Sequence, residues 1–194
     1  MNANFKYDDN QLLGFLLEEG SLKEQALSAI WNKYSPRLFR YCLHSSLNKF
    51  EADEIHQLTW IKFYNYVRAG LKINSIEKFL FNTAYIVCRE KFRSQKAEKR
   101  FNEINSDMET FSDYDNFFKN LENENLMMHI SIAANYLDDS YKDIFMLKWF
   151  SSLSYEEISE IVEETVEVVR KRSYRAMDKI TEILQPIINE ILKG

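Results

Sequence analysis

The stretch Ser154–Ala176, SYEEISEIVEETVEVVRKRSYRA, decides how the chain reads. Ser154 followed by Glu157 forms a capping box that opens a helix. Tyr155, Ile158, Ile161 and Val162 share one face of it. Thr165 is placed to cap a second helix, in which Val166, Val169, Ala176, Met177 and Ile180 repeat at helical spacing. Opposite that stripe lie Glu167, Val168, Lys171, Tyr174 and Arg175, flanked by Arg170 and Arg172. Two short helices packed steeply leave the second one's outer face free to enter a major groove. An ordinary helical hairpin with a solvated charged face would carry the same pattern, so the segment alone does not decide for DNA.

Working outward, the rest of the chain also reads as helix. It has 194 residues, with 4 Gly and 2 Pro, too few for an all-β chain rich in tight turns. Hydrophobic residues make up 45% and charged residues 28%, enough apolar content to fold. The pattern predicts a short helix over 11–19 closed at Gly20, and a longer one over 22–47 interrupted at Pro36. Further helices are expected over 52–67, ending near Gly70, and from 76 to about 99. Beyond them come helices near 126–137 and 141–150, then the pair above, the last one stopped or bent at Pro186. The expectation is an all-α protein of two small helical domains, 1–100 and 126–194, joined by an acidic linker over 101–125. Charge marks that boundary. Residues 85–100 carry six cations against two anions, whereas 101–125 carry seven anions against Lys119. The linker also holds Phe101, Phe111, Tyr114, Phe117 and Phe118, which a plain spacer does not need.

Several function classes fall away. Cys42 and Cys88 lack metal-ligand spacing and read as buried thiols in a reducing cytosol. His44, His56 and His129 are scattered, with no nucleophile or ligand nearby, so no catalytic constellation and no cofactor or metal site is expected. The N-terminus lacks the charge and apolar run of a signal peptide, and no apolar stretch is long enough for membrane insertion, so a cytoplasmic protein is expected. The net charge of -5 opposes tight unaided binding to DNA, though not delivery by a larger partner. In the fourth helix, Phe81, Tyr85 and Phe92 line a second apolar face beside Arg89 and Arg93. Aromatics interleaved with cations suit unpaired bases and phosphates, while a helix buried on two sides would show the same stripe.

In order and spacing, four segments resemble an extracytoplasmic-function (ECF) sigma factor of bacterial RNA polymerase. Residues 12–42, LLGFLLEEGSLKEQALSAIWNKYSPRLFRYC, look like that family's opening helices. ADEIHQLTWIKFY at 52–64 is similar to the helix that docks on the polymerase clamp. FLFNTAYIVCREKFRSQKAEKR at 79–100 resembles the helix that recognises and melts the minus-ten element. Residues 137–180 resemble the domain that binds the minus-thirty-five element.

The resemblance implies polymerase contacts at Asp53, Glu54, Gln57 and Trp60, with Glu51 adding charge. It implies that Leu71, Lys72 and Asn74, with Ile73, shape a pocket for a flipped base. Phe81, Tyr85 and Phe92 would support unwound DNA, while Arg89, Lys91, Arg93 and Lys96 hold phosphates. In the last domain the DNA residues would be Thr165, Glu167, Val168, Arg170, Lys171, Arg172, Tyr174 and Arg175. The implied partners are core RNA polymerase, through the clamp of its largest subunit and the flap of its second-largest, and promoter DNA both double-stranded and melted. The acidic linker would thread a basic channel of the enzyme.

The chain departs from the family pattern in three ways. Tyr85, Ile86, Val87 and Glu90 stand where the family has Arg, Asn, Leu and Asp, so its asparagine is missing here. Glu163 stands where the family has Gly, and a side chain in a left-handed turn is costly, so a different turn is expected. Glu163, Glu164 and Glu167 put carboxylates at the end that should approach phosphates. Weak minus-thirty-five binding follows, and with it a further partner for DNA placement: an anti-sigma factor or a DNA-targeting protein, including an RNA-guided one. The alternatives are a sigma-like adaptor, or a helix-turn-helix regulator that does not itself melt promoters.

Overall fold

A computed structural model describes residues 7–18, 20–46, 48–103 and 126–191, with side chains omitted at 94–103, 126–128 and 187–191. Among the described residues there are eight helices and no strand. They are α1 (Asp9–Leu16), α2 (Ser21–Ser46), α3 (Lys49–Arg68), α4 (Ile76–Glu103), α5 (Leu126–Asn135), α6 (Asp139–Ser151), α7 (Tyr155–Val162) and α8 (Val166–Ile191).

Local chemistry sets most of their ends. Asp8 and Gln11 form a reciprocal capping box at α1, at 2.8 and 2.9 Å. Asn48 accepts from the backbone of Phe50 and Glu51, so α3 starts three residues earlier than its apolar pattern does. After α3 the chain reverses at Gly70, whose φ of +69° suits a residue without a Cβ. At two prolines the helix neither starts nor stops. Pro36 and Pro186 both sit inside continuous helices. Both are exposed, so water can satisfy the carbonyl that each proline leaves unpaired. Residues 101–103, assigned to the linker by charge, are the last residues of α4, and 104–125 lie outside the described residues.

Helix α2 is the axis of the molecule. It packs on α1, α3 and α4, and its C-terminal half also meets α5 and α6. Leu12, Ile30, Leu38, Ile55, Phe63, Ile76, Leu80 and Phe81 are almost fully buried in the first half. Each such side chain contributes about 1.5–3 kcal/mol by leaving water. Thr59, buried among them, donates to the carbonyl of Ile55 at 2.7 Å, so its hydroxyl is not stranded. Ile144, Phe145, Leu147, Leu153, Ile158, Val169, Ala176 and Ile180 form the second half's core. Cys42 and Cys88 are free thiols, both buried, and burial pushes the Cys88 thiol up to about 12. No helix among the described residues is long and apolar enough to cross a membrane.

Candidate polymerase and DNA interfaces

The outer face of α3 carries Asp53, Glu54 and Gln57, all exposed. Trp60 is half-buried beside them. Its ring lies 4.7 Å from that of Trp31 and 5.7 Å from that of Phe63. Its indole N–H donates to His56 Nε2 at 2.9 Å. An indole nitrogen only donates, so Nε2 is the acceptor and the imidazole proton sits on Nδ1. Burial lowers the His56 pKa, which keeps the ring neutral. Beside it a cavity of about 400 Å³ opens between Trp31, Ser35, Pro36, Phe39, Asp53 and His56. Leu58, Ile61 and Tyr64 extend the apolar surface along α3. Glu54 is in ion contact with Lys91 of α4, which ties a candidate polymerase residue to a candidate DNA residue. The sequence did not single out Trp31 or Ile61, because an exposed apolar residue on an otherwise apolar stripe looks like core.

The turn between α3 and α4 presents Leu71, Lys72 and Asn74 to solvent, while Ile73 is buried beneath them. Together with Asn10, Leu13 and Leu17 of the α1 region they border a cavity of about 470 Å³. These residues line a surface depression, and α1 supplies one wall of it.

Helix α4 corrects part of the sequence reading. Phe81 is fully buried, edge-on to Tyr41 at 5.7 Å, with the Arg37 guanidinium 5.2 Å from its ring. Tyr85 is only 5% exposed and accepts from Arg89 at 2.9 Å. Neither ring is free to stack a base in this arrangement, because α4 is covered on this face as well as on its core face. Phe92 is half-buried, with the Lys142 ammonium 4.2 Å from its centroid. The open face carries Asn82, Ile86, Glu90 and Arg93, bordering a cleft of about 870 Å³ shared with α6 and α7. Arg89 is exposed and pairs with Asp143 of α6 at 3.8 Å. Burial pushes the Asp143 carboxyl up to about 6, against the pull of Arg89 and Lys142. The backbone of Lys96 belongs to α4, and its side chain lies outside the described residues.

At the helix-turn-helix, the capping box forms: Ser154 Oγ accepts from Glu157 N at 3.1 Å, and Ser154 N donates to the Glu157 carboxylate at 2.8 Å. Glu163 occupies the left-handed turn at φ 56°, ψ 43°, so the turn is retained without its glycine. Thr165 Oγ1 accepts from Val168 N at 3.3 Å and opens α8. Thr165, Glu167, Arg170, Lys171, Tyr174 and Arg175 are exposed, whereas Val168 and Arg172 are half-buried. The basic cluster is partly occupied by its own acids. Arg172 binds Glu164 at 2.9 Å, and Lys171 binds Glu167 at 2.9 Å. The second contact lowers the Glu167 pKa, so that carboxylate stays charged. Arg170 lies 5.4 Å from the Tyr155 ring centroid.

No protein-family profile matches the chain. It is 22% identical over 174 residues to the RNA polymerase sigma-H factor of Pseudomonas aeruginosa, covering 86% of this chain and 90% of that protein. Among solved structures it resembles the sigma factor RpoE of Bartonella quintana, determined with the anti-sigma factor NepR. There the TM-score is 0.58 at 18% identity, over 84% of this chain and 96% of the other. The chain has the fold of an ECF-type sigma factor. Both likenesses extend over more than four fifths of the chain, and so reach into both halves.

Proposed function

We propose that the protein is a sigma factor that binds core RNA polymerase and directs transcription initiation at specific promoters. The observation that carries this reading is the likeness to sigma factors in sequence and in fold over more than four fifths of the chain. In this reading the α2–α3 face, with Asp53, Gln57, Trp60 and Trp31, grips the polymerase: an aromatic anchor ringed by carboxylates suits a basic helical surface. Leu71, Lys72, Asn74, Arg89, Lys91 and Arg93 meet the melted strand, and α8 meets duplex DNA through Arg170, Tyr174 and Arg175. Its role is binding and placement; it performs no covalent chemistry.

The self-paired acids at the start of α8 support a finer proposal. Glu164 and Glu167 neutralise Arg172 and Lys171 internally, so fewer cations remain for phosphates. A partner then supplies part of the DNA placement, either an anti-sigma factor that releases the chain on cue or a DNA-targeting protein, RNA-guided ones included. Docking is tested by co-purification with core polymerase. Wild type should be retained, and Asp53→Lys combined with Gln57→Lys should lose retention at least tenfold. Equal retention of the two would overturn the assignment of this face.

A further inference from the structure

Gly14 stands in the interior of α1, a helix of 8 residues. Glycine is a poor residue there, because it exposes backbone and loses more freedom on folding than alanine does. A Cβ at this position would meet no protein atom within 4 Å, and the backbone keeps an ordinary helical conformation. Packing among the described residues therefore does not call for a glycine. The missing side chain instead widens the cavity of about 470 Å³ that α1 shares with the turn between α3 and α4.

The lining of this cavity is apolar, with charge at one place. Leu16, Val67 and Ile73 are buried beneath it. Leu13 and Gly14 form its wall on α1, while Leu17 and Leu71 border it with 69% and 49% of their surfaces open to water. Asn10, Lys72 and Asn74 supply the polar groups, and Lys72 is the one charged residue among those that border the cavity. The volume falls in the range of about 300–1,000 Å³ that small-ligand sites occupy. A nucleobase carries donors and acceptors around its edge, and these aliphatic side chains would leave most of them unpaired. An aliphatic chain has no such groups to satisfy and gains by leaving water.

We propose that the cavity is a binding site for a medium-chain fatty acid, with its alkyl chain along Leu13, Gly14 and Leu17 and its carboxylate on Lys72. Charge selects the head group. The lining offers an ammonium and two neutral amides, all able to donate to a carboxylate, and no acid that would repel it. The bare wall at Gly14 makes room for the chain, since a side chain there would project into the space it fills. Leu17 and Leu71, exposed in the free protein, are covered by the bound acid. The acid also competes with melted DNA for Leu71, Lys72 and Asn74. That consequence rests on the proposed function; the site itself does not.

Isothermal titration calorimetry of the full chain with decanoate, kept below its micelle concentration, tests this. Wild type should show saturable one-to-one binding. Octanoate should bind about tenfold more weakly, as expected for two fewer buried methylenes. Lys72→Gln should weaken decanoate about threefold, the scale of an exposed ion pair, and leave decanol, which has no charge, unchanged. Gly14→Leu fills the wall with a good helix former, so it should lower decanoate affinity by about tenfold or more while the melting temperature holds or rises. No saturable heat with wild type would overturn the site. Undiminished binding by Gly14→Leu would overturn its placement. No loss of decanoate in Lys72→Gln, or an equal loss of decanoate and decanol, would overturn the pairing with Lys72. The titration contains neither polymerase nor DNA, so failure of the sigma assignment in a transcription assay would leave this result intact, and the reverse also holds.

Discussion

Replacing Asp143 by asparagine should stabilise the protein at neutral pH. Asp143 sits where α6 meets α4, with Arg89 at 3.8 Å, and only 19% of its side chain is exposed. Loss of solvation dominates there, and the carboxyl rises from 3.8 to about 6 although Arg89 and Lys142 favour its charge. The folded state therefore binds this proton more tightly than the unfolded chain does. Stability from this group is full below the unfolded value of 3.8, falls as pH rises to about 6, and stays reduced above that. At about 1.4 kcal/mol per decade, the ionised carboxylate costs the fold on the order of 3 kcal/mol at pH 8. Asparagine matches the neutral acid in size and polarity. Urea denaturation of Asp143→Asn and wild type should give similar stabilities near pH 3.5, with the variant ahead by up to about 3 kcal/mol at pH 8. His44, whose pKa is lowered by burial, affects both proteins alike and cancels in the difference. If the variant were less stable at pH 8, the Arg89–Asp143 attraction would outweigh desolvation and the reasoning would fail.

Three further outcomes follow. Phe81→Ala should destabilise the fold by about 3–5 kcal/mol in a urea melt, because the ring is fully buried; a change under 1 kcal/mol would restore it as a DNA-stacking residue. Glu163→Gly should raise stability by up to about 1 kcal/mol, since the residue at φ 56° carries a Cβ penalty that glycine lacks; the melting temperature checks the sign. Glu164→Gln with Glu167→Gln should strengthen binding to duplex DNA severalfold and steepen its salt dependence by releasing Arg172 and Lys171; fluorescence anisotropy across a salt series reads both.

Much of the fold was legible because it is local. Helical periodicity located all eight helices, and the Ser154–Glu157 box fixed the start of α7. What stayed hidden depends on distant contacts. Phe81 and Tyr85 form a second apolar face on α4, and sequence cannot say whether such a face meets bases or another helix. Here Phe81 packs against α2, while Tyr85 is buried near Arg89 at the meeting of α4 and α6. Lys91 and Glu54 lie 37 positions apart, so their pairing leaves no mark in spacing. His44 meets Ser131 and Asn135, 87 and 91 positions away, which made that histidine read as incidental. At Glu163 the rule that glycine fills a left-handed turn gave way, because the capping box and Thr165 fix the helices on either side. The acids of the recognition helix were legible as a charge problem. The Glu167–Lys171 pair follows from i,i+4 spacing, whereas the pairing of Glu164 with Arg172, eight positions away, became visible only with the fold.

The most direct test is transcription in vitro. Core polymerase of the source organism is combined with this protein and genomic DNA, and the 5′ ends of the transcripts are mapped. The account predicts discrete start sites absent from core enzyme alone, few with this protein by itself and more once its placement partner is supplied. Start sites indistinguishable from core alone, with and without added cell extract, would contradict the sigma assignment.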